Sequence, residues 1–246
     1  MTGESRAPLH EAPEHDWAAA AARLLPLLRG PGTAGTRLAD LSPERLASEG
    51  LRSHALPVLD DGPAGLSVAY AIRAGGFDAL VNADHLLEWH IDPETLRATA
   101  LRNLDAWSGE TGWTDETEGG RRILSSDSGD GADSARILLP AVRRWLETEL
   151  RTGRAPNAGI GVNATAGPNA EAQAGADAAA TGRVLIGLPD RHLLVATCVG
   201  PDDGPFIARF ADFVAAMAGA ADEPIDGRVF ELTAGDLRPL DVEPTA

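Results

Sequence analysis

Residues 182–200, GRVLIGLPDRHLLVATCVG, constrain the fold more than any other stretch of this chain. Two apolar runs rich in β-branched residues, 184–188 and 193–199, flank Pro189-Asp190-Arg191-His192. Proline presets its dihedral for a turn and an aspartate side chain can accept from its own backbone, so PDRH predicts a tight connection between two antiparallel strands. The same turn is also a candidate binding edge. An arginine on a short rigid turn can grip a carboxylate through two parallel hydrogen bonds, which makes Arg191 a candidate binding residue and its neighbours Asp190 and His192 candidate acid–base groups.

Around this pair the text alternates between helix and strand. Asp16 is placed to cap an alanine- and leucine-rich helix that Pro26 ends or kinks, residues 30–35 read as a turn, and Ser42, Pro43 and Gly50 carry the start and exit signals of a second helix. Residues 55–73 read as two strands joined at Gly62-Pro63. Asp84 and Asp92-Pro93 then start two helices, with Leu96, Ala100, Leu104 and Trp107 on one face of the second. A weak hairpin over 109–126 leads into the loop SDSGDGADS. A helix from residue 133 or 134 to about 152 follows, with Leu138, Val142, Trp145 and Leu146 inward and Arg143, Arg144 and Arg151 toward its C-terminal end. A last helix from Pro205 carries the stripe Phe206, Phe210, Phe213, Val214 and Met217, and the chain closes on a hairpin with Gly235 in its turn. Residues 153–182 are almost all small and have no sustained period or aromatic anchor. They cannot offset their ordering entropy, so they read as a disordered low-complexity insertion or linker, and residues 1–15 as a flexible tail.

Composition removes several chemistries. The 246 residues carry a net charge of −16, which repels nucleic acid and anionic lipid and favours basic proteins or cations as partners. All 21 basic residues are arginine. Without lysine there is no phosphate-loop lysine, no kinase-type lysine and no Schiff base on a side-chain amine. The lone Cys198 permits neither an intrachain disulfide nor a cysteine-based zinc cage, and it reads as a buried small hydrophobe. The opening MTGESRAPLHEAPEHDW lacks the basic start and apolar core of a signal peptide, and no apolar run is long enough to span a bilayer, so the expectation is a soluble cytoplasmic protein.

The constellations that could carry chemistry fail their templates one by one. His10-Glu11 and His15 miss the four-residue spacing of a zinc-protease helix and enclose Pro13. Asp84, His85, Glu88 and His90 offer metal-type ligands, but on a helix His90 is rotated about 140° from His85, so no metal is expected there. Asp127, Asp130 and Asp133 lack the alternation and distal glutamate of a calcium loop and read as a solvated turn. The serine-elbow pattern fails at Ala69, and Gly159 and Gly161 follow no strand as a dinucleotide fingerprint would require.

Four stretches in order, LLEWHIDPETLRATALRNL, DSARILLP, LIGLPDRHLLVATC and PIDGRVFELTAGDLRPL, resemble the uncharacterised YtpQ-type bacterial family, a domain of unknown function. The resemblance covers about residues 50–240 outside the insertion. It implies a compact α+β protein of the bacterial cytoplasm and no particular reaction. That family's pattern has an acidic residue after the turn arginine, where this chain has His192.

The expectation is therefore an α+β fold with a mixed or antiparallel sheet and packed helices. One compact domain covers 16–152 and 183–240. For function it is a non-catalytic binding or regulatory protein, of accessory or immunity type, that presents its acidic surface to a basic protein partner and needs no cofactor. The alternative is an enzyme of specialised metabolism acting on a small molecule. It would use Glu88, His90, Asp190 and His192 as acid–base groups, and Arg191, Trp89 and Asn103 to bind.

Overall fold

The computed structural model describes residues 16–41, 56–74, 77–109, 111–118, 121–152, 182–201 and 203–241. The expected tail at 1–15, the helix signals at Ser42, Pro43 and Gly50, and the insertion at 153–182 lie outside these residues, Gly182 excepted.

Asp16 accepts from the backbone of Ala18 and caps α1 (Trp17–Ala21), as the sequence predicts. The helix does not run on to Pro26. Residues Leu24–Arg29 form β1 instead, and all but Arg29 are buried. Proline has no amide to donate, but β1 is an edge strand among the described residues, so Pro26 breaks no ladder between two neighbours. Burial on the sheet overrides the helix propensity of the leucines. With β2 (Thr36–Arg37), β3 (Val58–Asp61), β4 (Ser67–Arg73) and β5 (Asp78–Leu80), β1 makes a mixed sheet in the order β1-β4-β3-β2, with β5 also on β4. Only β2 and β3 pair in parallel.

Two helices follow. The cap of α2 (Ala83–Trp89) is Asn82, not Asp84: the Asn82 side chain accepts from the His85 amide, and His85 Nδ1 accepts from the Asn82 amide, which closes a capping box. Asp84 sits in the first turn, where the helix dipole favours a negative charge. Asp92 caps α3 (Pro93–Ser108) by accepting from Thr95, and Leu96, Ala100 and Leu104 lie buried along the predicted face, which packs on β1.

The second sheet is antiparallel throughout. It contains β6 (Thr114–Glu118), β7 (Arg121–Ser126), β8 (Arg183–Asp190), β9 (Leu193–Val199), β10 (Val229–Thr233) and β11 (Asp236–Pro239) in the order β11-β10-β8-β9-β7-β6. The PDRH hairpin thus supplies the two central strands. The helix expected from residue 133 is broken in two: a 3-10 turn, Ser134–Leu138, and then α4 (Pro140–Thr152). Pro140 disfavours a helical conformation at Leu139, which is extended. The break leaves the Ile137 and Leu138 carbonyls to be capped by Arg143 Nη1, at 2.7 and 3.3 Å, so Arg143 serves the start of α4 and not its end. Leu138 is only partly buried as a result, whereas Val142 and Leu146 point inward.

The apolar alternation of β8 and β9 sorts two cores. Ile186, Leu188, Leu194 and Ala196 join the residues of β1, β4 and α3 in one cluster, so both sheets share it. Leu185, Val195 and Val199 face the other way, onto α5 (Gly204–Ala220). Only part of the predicted α5 stripe is buried: Phe206, Phe210 and Val214 are inside, but Phe213 and Met217, one position round the helix, are exposed. The architecture is α+β. Among the described residues no helix is long and apolar enough to cross a membrane.

Candidate functional site

A buried guanidinium needs oxygen partners for donors arranged in a rigid fork. Arg191, in the two-residue turn between β8 and β9, is buried and finds them on three separate segments. Its Nε donates to the Gly131 carbonyl at 3.2 Å, its Nη1 to both oxygens of Glu223 at 3.0 and 3.2 Å, and its Nη2 to Asp78 of β5. The turn itself is held from below. The Arg191 carbonyl accepts from the amide and hydroxyl of Ser134, both at 3.3 Å, and Asp190 Oδ1 accepts from the His192 amide at 2.5 Å. The turn and the carboxylate grip read from PDRH therefore coexist, and the carboxylates gripped belong to the chain itself.

Two further arginines converge there from the first sheet. Arg29, at the end of β1, donates from Nη1 to Glu223 Oε2 at 3.0 Å. Arg73, at the end of β4, donates to the Asp130 carbonyl, lies 3.7 Å from Asp78, and stacks over Trp107 at 4.8 Å. Together with Phe77, Leu80, Gly129, Gly131 and His192 these groups line a cleft of about 590 Å³ where the two sheets meet. That volume is within the range of about 300–1,000 Å³ typical of small-molecule sites. Gly131 is required by this geometry: its φ is +73°, and a Cβ there would stand 2.6 Å from Arg191 Nη2.

Two carboxylates of the cleft, Glu223 and Asp130, are held ionised. Burial pushes the Glu223 carboxyl up, but the hydrogen bonds and charges of Arg29 and Arg191 outweigh it and leave the group below the ordinary range. Asp130 is likewise raised by burial and lowered further by Arg136 and the Ala132 amide, with a net fall. Burial lowers the Arg191 pKa, and Asp78 and Glu223 more than reverse it, so the guanidinium stays charged.

Behind Asp130 the acidic loop is solvated only at residues 127–129. It closes around Arg136, whose side chain is fully buried. Asp133, also fully buried, accepts through Oδ1 from Ser126, from the amide and hydroxyl of Ser128, and from Arg136 Nη1 at 2.8 Å. Arg136 Nη2 donates to Asp130 and to Thr111 Oγ1. The cation enclosed by the loop is a guanidinium, and this fixes Asp130 at the cleft wall.

Of the residues singled out from sequence, Arg191 and His192 line the cleft, and Asp190 braces the turn. Glu88 and His90 do not line it. Both are exposed at the end of α2, where His90 takes the left-handed conformation of a C-cap with φ 53°. Trp89 is buried against Trp17 and His85, with ring centroids 5.3 and 5.1 Å apart. Asn103 ties α3 to the end of α1 and the start of β1 by donating to the Ala21 and Leu24 carbonyls at 2.7 and 2.8 Å. Half-buried Cys198 has its thiol pushed up by burial, away from a reactive thiolate. Among the described residues no three or more His, Cys, Asp or Glu side chains are grouped as a metal ion would need.

Sequence reasoning missed Arg29, Arg73, Phe77, Asp78 and Glu223. Arg73, Phe77 and Asp78 lie close together in the chain, but Arg29 and Glu223 are 194 positions apart, and no local spacing joins the three segments. No protein-family model, curated protein or solved structure matches this chain.

Proposed function

We propose that this protein is a non-catalytic binding protein whose recognition site is the cleft at the Arg191 turn, and that it takes a small anionic molecule. The observation that carries the reading is the convergence of Arg29, Arg73 and Arg191, from both sheets, on the wall of one cleft. Arginine is the side chain suited to planar, bidentate recognition of an anion. The carboxylates beside them support binding over catalysis: Asp130 and Glu223 are held below their ordinary range, so neither can supply a proton as a general acid near neutral pH.

The test is thermal unfolding with a panel of small anions, cations and neutral compounds at constant ionic strength. A ligand at a hundred times its Kd stabilises by about 2.7 kcal/mol, which for a domain of this size raises Tm by about 5–10 °C. Anions are expected to give that shift and to be recovered chemically unchanged. Replacement of Arg191 by glutamine should abolish it. A panel in which only cations or neutral compounds stabilise, or in which the bound anion is converted, would overturn the reading.

The net charge of −16 favours a second partner class, a basic protein held by the acidic surface. Such a complex should dissociate as salt is raised, and binding that ignores ionic strength would count against it.

A further inference from the structure

Resting on the reading above, we propose that Glu223 stands in for the ligand's own carboxylate. The cleft then takes a small monocarboxylic acid with an apolar body, whose carboxylate displaces the Glu223 side chain from Arg29 and Arg191. Two guanidiniums from different sheets meet on this one carboxylate, at 3.0 to 3.2 Å. That is the donor arrangement an external carboxylate would need, already assembled around an internal one.

Exposure separates the exchangeable partner from the fixed ones. The Glu223 side chain is 38% exposed, whereas Asp78 is 17% exposed and is held by Arg191. The backbone just after Glu223 is anchored to β8, with the amides of Ile225 and Asp226 donating to the Pro189 and Leu188 carbonyls at 3.0 and 3.1 Å. Displacement of Glu223 is therefore a side-chain rotation and leaves that anchored segment in place.

Charge and polarity select the occupant. With Glu223 swung out, three guanidiniums, Arg29, Arg73 and Arg191, remain against two carboxylates, Asp78 and Asp130. The residual single positive charge suits a monoanion, and a dianion would face those two acids. Phe77 and Leu80 line the same cleft and are among the few large apolar side chains left exposed in the described residues, which gives an apolar body a surface to cover.

Calorimetric titration of the full chain with sodium phenylacetate, sodium acetate, inorganic phosphate and phenethylamine at matched ionic strength tests this. The wild type is compared with Glu223→Gln and with Glu231→Gln, which breaks the Arg183–Glu231 pair away from the cleft. Phenylacetate should bind more tightly than acetate, and phosphate and the amine should not bind. Glu223→Gln should bind phenylacetate about tenfold more tightly than the wild type, and Glu231→Gln should match the wild type. If Glu223→Gln does not fold, Glu223→Asp, which keeps the charge on a shorter stem, should show the same direction of change. Phenylacetate binding that is equal or weaker in the Glu223 variants overturns the displacement but leaves the anion-binding reading intact. A preference for phosphate overturns the ligand class, and failure of any anion to bind overturns both.

Discussion

Arg136 and Asp133 form an ion pair whose two side chains have no solvent exposure, and their buried atoms Arg136 Nε and Asp133 Oδ2 have no hydrogen-bond partner. Taking two charges out of water is costly, and here the cost is offset by the Ser126, Ser128, Thr111 and Asp130 bonds around them. Removal of Asp133 takes away the fully buried carboxylate and leaves the buried Arg136 only the part-exposed Asp130 to balance its charge. Asp133→Asn should lower stability by about 3–5 kcal/mol in chemical denaturation, whereas replacing both members by apolar residues of similar volume should cost markedly less. A loss in the single variant no larger than in the double one would show that the pair does not hold the loop. Because Arg136 also fixes Asp130, the single variant should loosen the cleft wall as well. The sequence shows the acids of this loop plainly. It does not show that their cation is Arg136, three residues on from Asp133, because an i,i+3 acid–arginine pair is ordinarily an exposed surface pair and only tertiary packing buries this one.

At the scale of elements, the cleft depends on close approach between β1 and the segment that follows α5. A Cβ on Gly30 would stand 2.5 Å from the Ile225 carbonyl oxygen, a backbone atom that cannot swing aside. Gly30→Ala therefore has to shift residues 223–226 relative to β1, and the Arg29–Glu223 bond spans that gap. The expected cost is about 1–3 kcal/mol, with altered anion binding in the same variant. Unchanged Tm and unchanged binding would mean that this contact does not position Glu223. Gly187 has a comparable role in packing, since a Cβ there would meet Val214 at 2.5 Å, but its neighbours are side-chain tips and it lies away from the cleft. The elements themselves were largely legible. Apolar runs punctuated by proline, glycine and aspartate placed β3, β4, α3, β6, β7, β8, β9 and the closing hairpin. The sequence reading departs from the structure where burial overrides propensity, at the leucines of β1, and where a helix is run through a proline that breaks it, at Pro140.

Across the whole molecule, cationic side chains other than histidine are all arginine, and the ion pairs inherit that uniformity. Glu223 and Asp130, pushed up by burial, and Asp203 and Glu231, on which arginine bonds act first, all end below their ordinary range through Arg29 and Arg191, Arg136, Arg121 and Arg183. A carboxyl whose folded pKa is depressed contributes stability that is present above its unfolded pKa and lost as pH falls through the folded value. Unfolding free energy should therefore change little between pH 7 and the ordinary carboxylate range of about 4, and then fall steeply as these groups take up protons. Glu223→Gln should flatten part of that fall. A midpoint of acid unfolding well above pH 5 would show that some other group controls it.

What the sequence determined by itself was local: the PDRH hairpin, the caps at Asp16 and Asp92, the buried face of α3, and the exclusion of lysine and disulfide chemistry. Each of these is set by neighbours within a turn or two of chain. Tertiary structure alone decided the site. Arg29, Arg73, Asp78, Asp130, Arg191 and Glu223 meet only because one apolar core draws two sheets together, and a guanidinium enclosed at their junction has to take its carboxylates from whichever segments arrive there.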